Sequence, residues 1–129
     1  MSTELQILAW TIVLGLVHVF VAAALSTQQR GLMWNAGNRD GDPPALTGAA
    51  ARAVRANNNF LETFPFFAAA VLGVMLLKHA TPQTALGAQV YFFARLVYLP
   101  VYVAGIPYLR TAVWATAFWG LLQLVKALF

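Results

Sequence analysis

The sequence predicts an all-α integral membrane protein, a bundle of four transmembrane helices in a single domain over residues 1–129. Three observations carry that reading. Of the 129 residues, 60% are hydrophobic and only 9% are charged, where a soluble domain carries about 25% charged residues. In Leu5–Leu25 only Gln6, Thr11 and His18 are polar, and at about 1.5 Å per residue that run reaches roughly 31 Å, enough to cross a bilayer core. Only one segment, Gln28 to Thr47, is clearly polar. The length suits one domain and leaves no room for a second.

The first helix is expected over about residues 4–28. The opening Met-Ser-Thr-Glu4 lacks the basic region of a signal peptide, so the span is read as retained despite Ala22-Ala-Ala24. The loop that follows holds Gln-Gln-Arg30-Gly and Asn35-Ala-Gly-Asn-Arg39-Asp-Gly-Asp42-Pro-Pro44, a composition that argues for turns rather than a regular element. A second helix over about 48–78 takes Thr47 as its candidate cap and contains Pro65, which should kink it. His79-Ala-Thr-Pro82 forms a short turn, and a third helix covers about 83–103 with Pro100 as another kink. Gly105-Ile-Pro107 makes a tight turn into a fourth helix over about 107–128.

Outside the spans, the first and third loops hold Arg30, Arg39, Arg52, Arg55 and Arg110, against Lys78 and Lys126 on the other side. The positive-inside rule then places the first and third loops in the cytoplasm and both termini across the membrane.

Composition also excludes several functions. The net charge is +4, but the basic residues cluster neither on a soluble helix nor in a polar tail, which argues against a nucleic-acid partner. There is no cysteine, so disulfides, thiolate zinc sites and a protein thiol nucleophile are ruled out. No His/Asp/Glu set has metal-ligand spacing and no Ser/His/Asp set is present, so neither a metal nor protein nucleophilic catalysis is expected.

The polar residues that remain fall on helical faces. Arg52, Arg55, Asn59 and Glu62 follow at steps of 3, 4 and 3, one face near the cytoplasmic end of the second helix, with Asn58 beside it. Tyr91, Arg95, Tyr98 and Tyr102 follow at steps of 4, 3 and 4 on the third. A charge at the depth of Arg95 costs about 3 kcal/mol even on a mild insertion scale, so this stripe must face protein or a wet cavity. Arg110 opens the fourth helix, with Trp114 one turn later.

Read as chemistry, this is an anion site containing one acid. Arg30, Arg55, Arg95 and Arg110 offer planar donor forks to carboxylates, Glu62 can accept an ammonium group, and the tyrosine hydroxyls can donate to a carbonyl or thiolate. A small zwitterion with more than one carboxylate fits better than a phosphate or a sugar, and glutathione has two carboxylates, an ammonium and a thiol. Blander roles compete. Arg95 and Glu62 could neutralise each other as a structural pair, and Arg52 reads as a solvated or lipid-headgroup residue. Arg39 with Asp40 and Asp42 reads as a solvated loop cluster, and His18 as a hydrogen-bonded packing residue. His79 reads as an interfacial turn residue, and Trp10, Trp34, Trp114 and Trp119 as packing or interfacial anchors.

Arg55-Ala-Asn-Asn-Asn59-Phe-Leu-Glu62-Thr-Phe-Pro65-Phe resembles the signature Arg-Ala-x-x-Asn-x-x-Glu-x-x-Pro of the MAPEG family, the membrane-associated proteins in eicosanoid and glutathione metabolism. Phe93-Ala-Arg95-Leu-Val-Tyr98-Leu-Pro-Val-Tyr102 resembles the family's third-helix motif, Arg110 its fourth-helix arginine, and Gln29-Arg30 a basic position ending its first helix. The resemblance implies a homotrimer of four-helix bundles with glutathione as co-substrate, bound between neighbouring subunits near the cytoplasmic face. It implies that Arg30, Arg55, Asn59, Glu62, Tyr98 and Tyr102 bind glutathione, that Arg110 stabilises its thiolate as the catalytic residue, and that Arg95 sits behind them holding Glu62. Asn58 stands where the prostaglandin E synthase branch has a basic residue, Tyr98 replaces that branch's His, and Thr63 replaces an aromatic of the leukotriene-C synthase branch. The Arg95-to-Arg110 spacing differs by one residue from each of the two branches, in opposite directions. The eicosanoid-specific chemistries therefore do not carry over, and a bacterial-type member in the inner membrane is the better match.

The function expected is a glutathione-dependent transferase or peroxidase acting on lipophilic small molecules that arrive through membrane lipid. Two other classes compete: a catalytically idle scaffold with the same fold, and a small four-helix multidrug exporter. Exporters of that kind depend on a carboxylate well inside the first helix, where this chain has only Glu4 at the edge.

Overall fold

A computed structural model describes residues 2–129, which form five helices and no strand. They are α1 (Thr3–Arg30), α2 (Leu32–Ala36), α3 (Gly48–Leu76), α4 (Pro82–Ala104) and α5 (Pro107–Ala127). Ser2 caps α1, its hydroxyl accepting from the Leu5 amide at 3.2 Å, and Gly31 ends it at a φ of +90°. Thr81 starts α4 with a reciprocal capping box to Thr84, and Pro82 supplies a first residue that needs no amide donor.

Two local findings depart from the sequence reading. Thr47 sits at the N-cap of α3, but its side chain makes no capping bond. The amide of Gln29 clamps its backbone instead, accepting from Thr47 N at 3.1 Å and donating to Thr47 O at 2.9 Å, which ties the end of α1 to the start of α3. The polar loop is also not all turns, because Leu32–Ala36 is a short helix. That stretch contains no glycine or proline, and the guanidinium groups of Arg30 and Arg39 lie 5.3 and 5.9 Å from the centre of the Trp34 ring. The helix-breaking residues flank it, Gly31 before and Gly37 onward after.

The long helices run up and down. α4 packs most extensively against α5, α1 packs most on α3, and the backbones of α1 and α5 do not approach each other closely. Glycines set the closest approaches. A Cβ on Gly87 would lie 2.7 Å from the Gly120 carbonyl oxygen, and one on Gly120 would lie 2.8 Å from Tyr91 N, so α4 and α5 touch backbone to backbone. On α1, Gly15 makes room for the Phe60 ring. Buried positions of α1 (Glu4, Leu8, Thr11, Leu14, His18 and Ala22) recur at steps of three and four, one stripe against the bundle.

One core, around Phe67, Val71, Val74, Tyr91, Leu121 and Leu124, fills the end that holds the α3–α4 turn. Phe67 and Tyr91 stack there at 4.1 Å, and the Tyr91 hydroxyl pairs with Thr63 Oγ1 at 2.9 Å. A smaller core of Ala56, Tyr98 and Leu99, with Tyr102, Val113 and Trp114 against it, lies toward the other end. By length and composition α1, α3 and α4 can each cross a membrane. α5 occupies the place of the fourth expected span, but Arg110, Gln123 and Lys126 dilute its apolar character. The chain is a membrane protein built on these apolar helices. Its buried carboxylate, Glu4, is satisfied by the Thr84 hydroxyl at 2.7 Å.

Candidate functional site

At the end of the bundle holding the α4–α5 turn, α3, α4 and α5 enclose a cleft of about 250 Å³. Arg52 and Arg55 enter it from α3, Tyr102 from α4, Gly105, Ile106 and Pro107 from the turn, and Arg110 from α5; no acidic residue lines it. Tyr102 is the shared platform. Its hydroxyl accepts from Arg55 Nε at 3.2 Å, and the Arg55 and Arg110 guanidinium groups lie 6.0 and 4.8 Å from its ring centre. Tyr98 packs edge-on to Tyr102 at 5.5 Å and is buried. Three guanidinium groups around one small cleft repel one another unless an anion neutralises them. Their planar forks suit a carboxylate.

Behind this cleft Arg95 is fully buried. It lies over Tyr98 at 4.3 Å and over Phe60 at 5.4 Å, and Nη1 donates to Asn59 Oδ1 at 2.8 Å. The expected Arg95–Glu62 pairing is therefore corrected: the acceptor is the neutral amide of Asn59. One turn of helix separates Asn59 from Glu62, and the inward face of α3 at this level belongs to Asn59 and Phe60, while Glu62 stands exposed on the outer face. Asn58 and Arg55 are exposed on the same side.

The residues named from the sequence thus separate into three groups. Arg55, Tyr102 and Arg110 share the cleft, and Asn59, Arg95 and Tyr98 form the buried layer beneath it. Arg30 and Glu62 stand apart. Arg30 lines a different cavity, of about 290 Å³, with Ser26, Trp34, Arg39 and Asn57, and its Nε donates to Pro44 O at 3.0 Å.

Arg52 is the residue the sequence reading set aside. It is half-buried rather than solvated, and its Nε donates to Val103 O at 2.9 Å. The signal was present in its three-residue step to Arg55, which puts both on one face. Arg39 is not paired with its acidic neighbours either; it stacks on Trp34 and donates to Asn35 O at 2.9 Å. His18 is a packing residue, stacked on Phe60 at 4.7 Å, but neither ring nitrogen has a hydrogen-bond partner. His79 ties its turn to the end of α5 through Ala127 O at 2.7 Å.

The family model described as "MAPEG family" matches residues 7–129, nearly the whole chain. Comparison with curated proteins gave no match.

Proposed function

The chain belongs to the MAPEG family, and on that premise we propose that it binds glutathione and ionises its thiol for attack on lipophilic electrophiles or hydroperoxides. The observation that carries this reading is the acid-free cleft in which Arg52, Arg55 and Arg110 gather around Tyr102. Glutathione brings two carboxylates to such a site as counter-ions, and Glu62 offers its ammonium a partner. Arg55 is the fork for one carboxylate. Arg110 stabilises the thiolate by placing positive charge where negative charge develops. Arg95 acts beneath them, holding Asn59 and bearing on Tyr98.

In transfer chemistry the thiolate sulfur attacks an electrophilic carbon, a carbon–sulfur bond forms, and the displaced group leaves with the electron pair. In peroxide reduction the sulfur attacks the distal oxygen and the oxygen–oxygen bond breaks, releasing the alcohol once the alkoxide gains a proton. A second glutathione then displaces hydroxide from the sulfenate-level sulfur, giving the disulfide and water.

The assembly proposed is a homotrimer with α5 as a fourth span and the site between neighbouring subunits. Two observations support it. Arg55, Asn58 and Glu62 are exposed polar groups on a helix apolar enough to cross a membrane, where lipid cannot solvate them. Arg30, which completes the set implied by the resemblance, lies in a separate cavity of the same chain, which supports the reading in which a neighbour's copy completes the cleft. The arginine-bearing end faces the cytoplasm in this reading, in the bacterial inner membrane, and the apolar surface between subunits presents the second substrate. Isothermal calorimetry of the detergent-solubilised protein tests the proposal. Saturable binding at millimolar glutathione or below is expected; no heat at that concentration would favour a catalytically idle scaffold.

A further inference from the structure

Among the cleft residues, Arg52 is the one whose hydrogen bond joins two elements through backbone. Its Nε donates to Val103 O at 2.9 Å, in the last turn of α4. Its guanidinium carbon and Nε both lie 3.3 Å from where a Cβ on Gly105 would stand. Gly105 ends α4 in the left-handed region, at a φ of +83°, and its missing side chain leaves room for the arginine to lie against the turn. Beyond Gly105 the chain is short: Ile106 N returns to Val101 O at 3.2 Å, Pro107 begins α5, and Arg110 N bonds to Ile106 O at 3.3 Å. Arg110 therefore sits one helical turn beyond Ile106, on the far side of the short turn whose near side Arg52 holds at Val103.

We infer that Arg52 is a positioning residue that clamps the α4–α5 turn against α3 and so sets where the Arg110 guanidinium enters the cleft. The inference rests on the glutathione reading above for its functional consequence, and on the geometry of the turn alone for its structural one. It also supplies a physical reason for tolerating the unusual Arg95-to-Arg110 spacing. A turn held from α3 can aim Arg110 without depending on its distance along the chain from Arg95. Arg55 adds a second hold one turn further on, through the Tyr102 hydroxyl, so the end of α4 is fastened to α3 at two successive residues.

Arg52→Lys is the informative variant, because it keeps the positive charge but has no donor at the Nε position. Two readouts are taken on the full-length protein in detergent. The first is the pH midpoint of the bound glutathione thiolate absorbance, measured beside the calorimetric dissociation constant. The midpoint is expected to rise by about one unit, a tenfold change in the ionisation equilibrium, while affinity changes by less than about threefold. An unchanged midpoint with affinity weakened about tenfold would overturn the inference, since Arg52 would then only bind the anion.

The second readout needs no ligand: hydrogen–deuterium exchange of peptides covering Val103–Arg110. Exchange is expected to be faster in Arg52→Lys and in Arg52→Met than in the wild type, and equal exchange would overturn the clamp. If the wild type binds no glutathione, the proposed function fails at that step, and the exchange rates still decide whether Arg52 holds the turn.

Discussion

Asn59→Ala removes the one acceptor that the buried Arg95 guanidinium has, the Oδ1 atom 2.8 Å from Nη1. Arg95 Nε and Nη2 are already buried without partners, so the variant leaves the whole charge without a polar contact inside the bundle. A hydrogen bond to a charged group contributes about 1.5–3 kcal/mol. The stacking of Arg95 on Tyr98 and Phe60 is untouched, and alanine is the better helix former, so neither effect hides the loss. The expected cost is about 2–3 kcal/mol, or roughly 30- to 150-fold in the unfolding equilibrium. The assay is reversible unfolding in mixed micelles of SDS and a mild detergent, followed by the fluorescence of the four tryptophans. A double-mutant cycle with Arg95→Met isolates the pair: the double variant should be more stable than the sum of the single losses predicts, because an apolar side chain needs no acceptor. Asn59→Asp, which restores an acceptor and adds charge complementarity, should recover the loss. A coupling energy below about 0.5 kcal/mol would refute the reasoning, since the error of such cycles is of that size.

Three further predictions follow from packing and the site. Gly120→Ala puts a methyl group against the backbone of Gly87 and Tyr91 and should cost about 1–3 kcal/mol by overpacking, whereas at Gly73 the added Cβ meets only the flexible tip of Leu128 and should cost less. Melting temperatures in one detergent compare the two directly. Thr84→Val strips the hydroxyl donor from the buried Glu4 carboxylate and breaks the capping box with Thr81, and should destabilise by about 1.5–3 kcal/mol, with Glu4→Gln in the same background recovering only the part due to the carboxylate. Glu62→Gln changes a carboxylate that is exposed within its own chain. The same variant should weaken glutathione about tenfold by removing the ammonium partner, and calorimetry reads that change.

Hydropathy and helical spacing made the long helices legible, because a bilayer demands near-continuous apolar runs and a 3.6-residue period places Arg55, Asn59 and Tyr102 by counting. What counting could not give is which of two adjacent turns faces inward. Asn59 rather than Glu62 meets Arg95 because Phe60, buried against Gly15 and His18, fixes the rotation of α3. Arg52 was set aside for a similar reason: its partner is a backbone carbonyl, and backbone acceptors carry no residue signature. The Leu32–Ala36 helix was hidden by the breakers around it, and the Arg30 and Arg39 guanidinium groups lie near its Trp34 ring. Arg30 and Glu62 were named as site residues from their chemistry and again from the resemblance, and the chain holds both apart from the cleft.

The central claim is that this protein uses Arg110 to hold glutathione as a thiolate. The difference absorbance of bound glutathione in the thiolate band, recorded at neutral pH for the wild type and for Arg110→Ala, tests it most directly. The account predicts a thiolate signal in the wild type that disappears in Arg110→Ala while glutathione remains bound. Wild-type protein saturated with glutathione but showing no thiolate, or an Arg110→Ala signal equal to the wild type's, would contradict it.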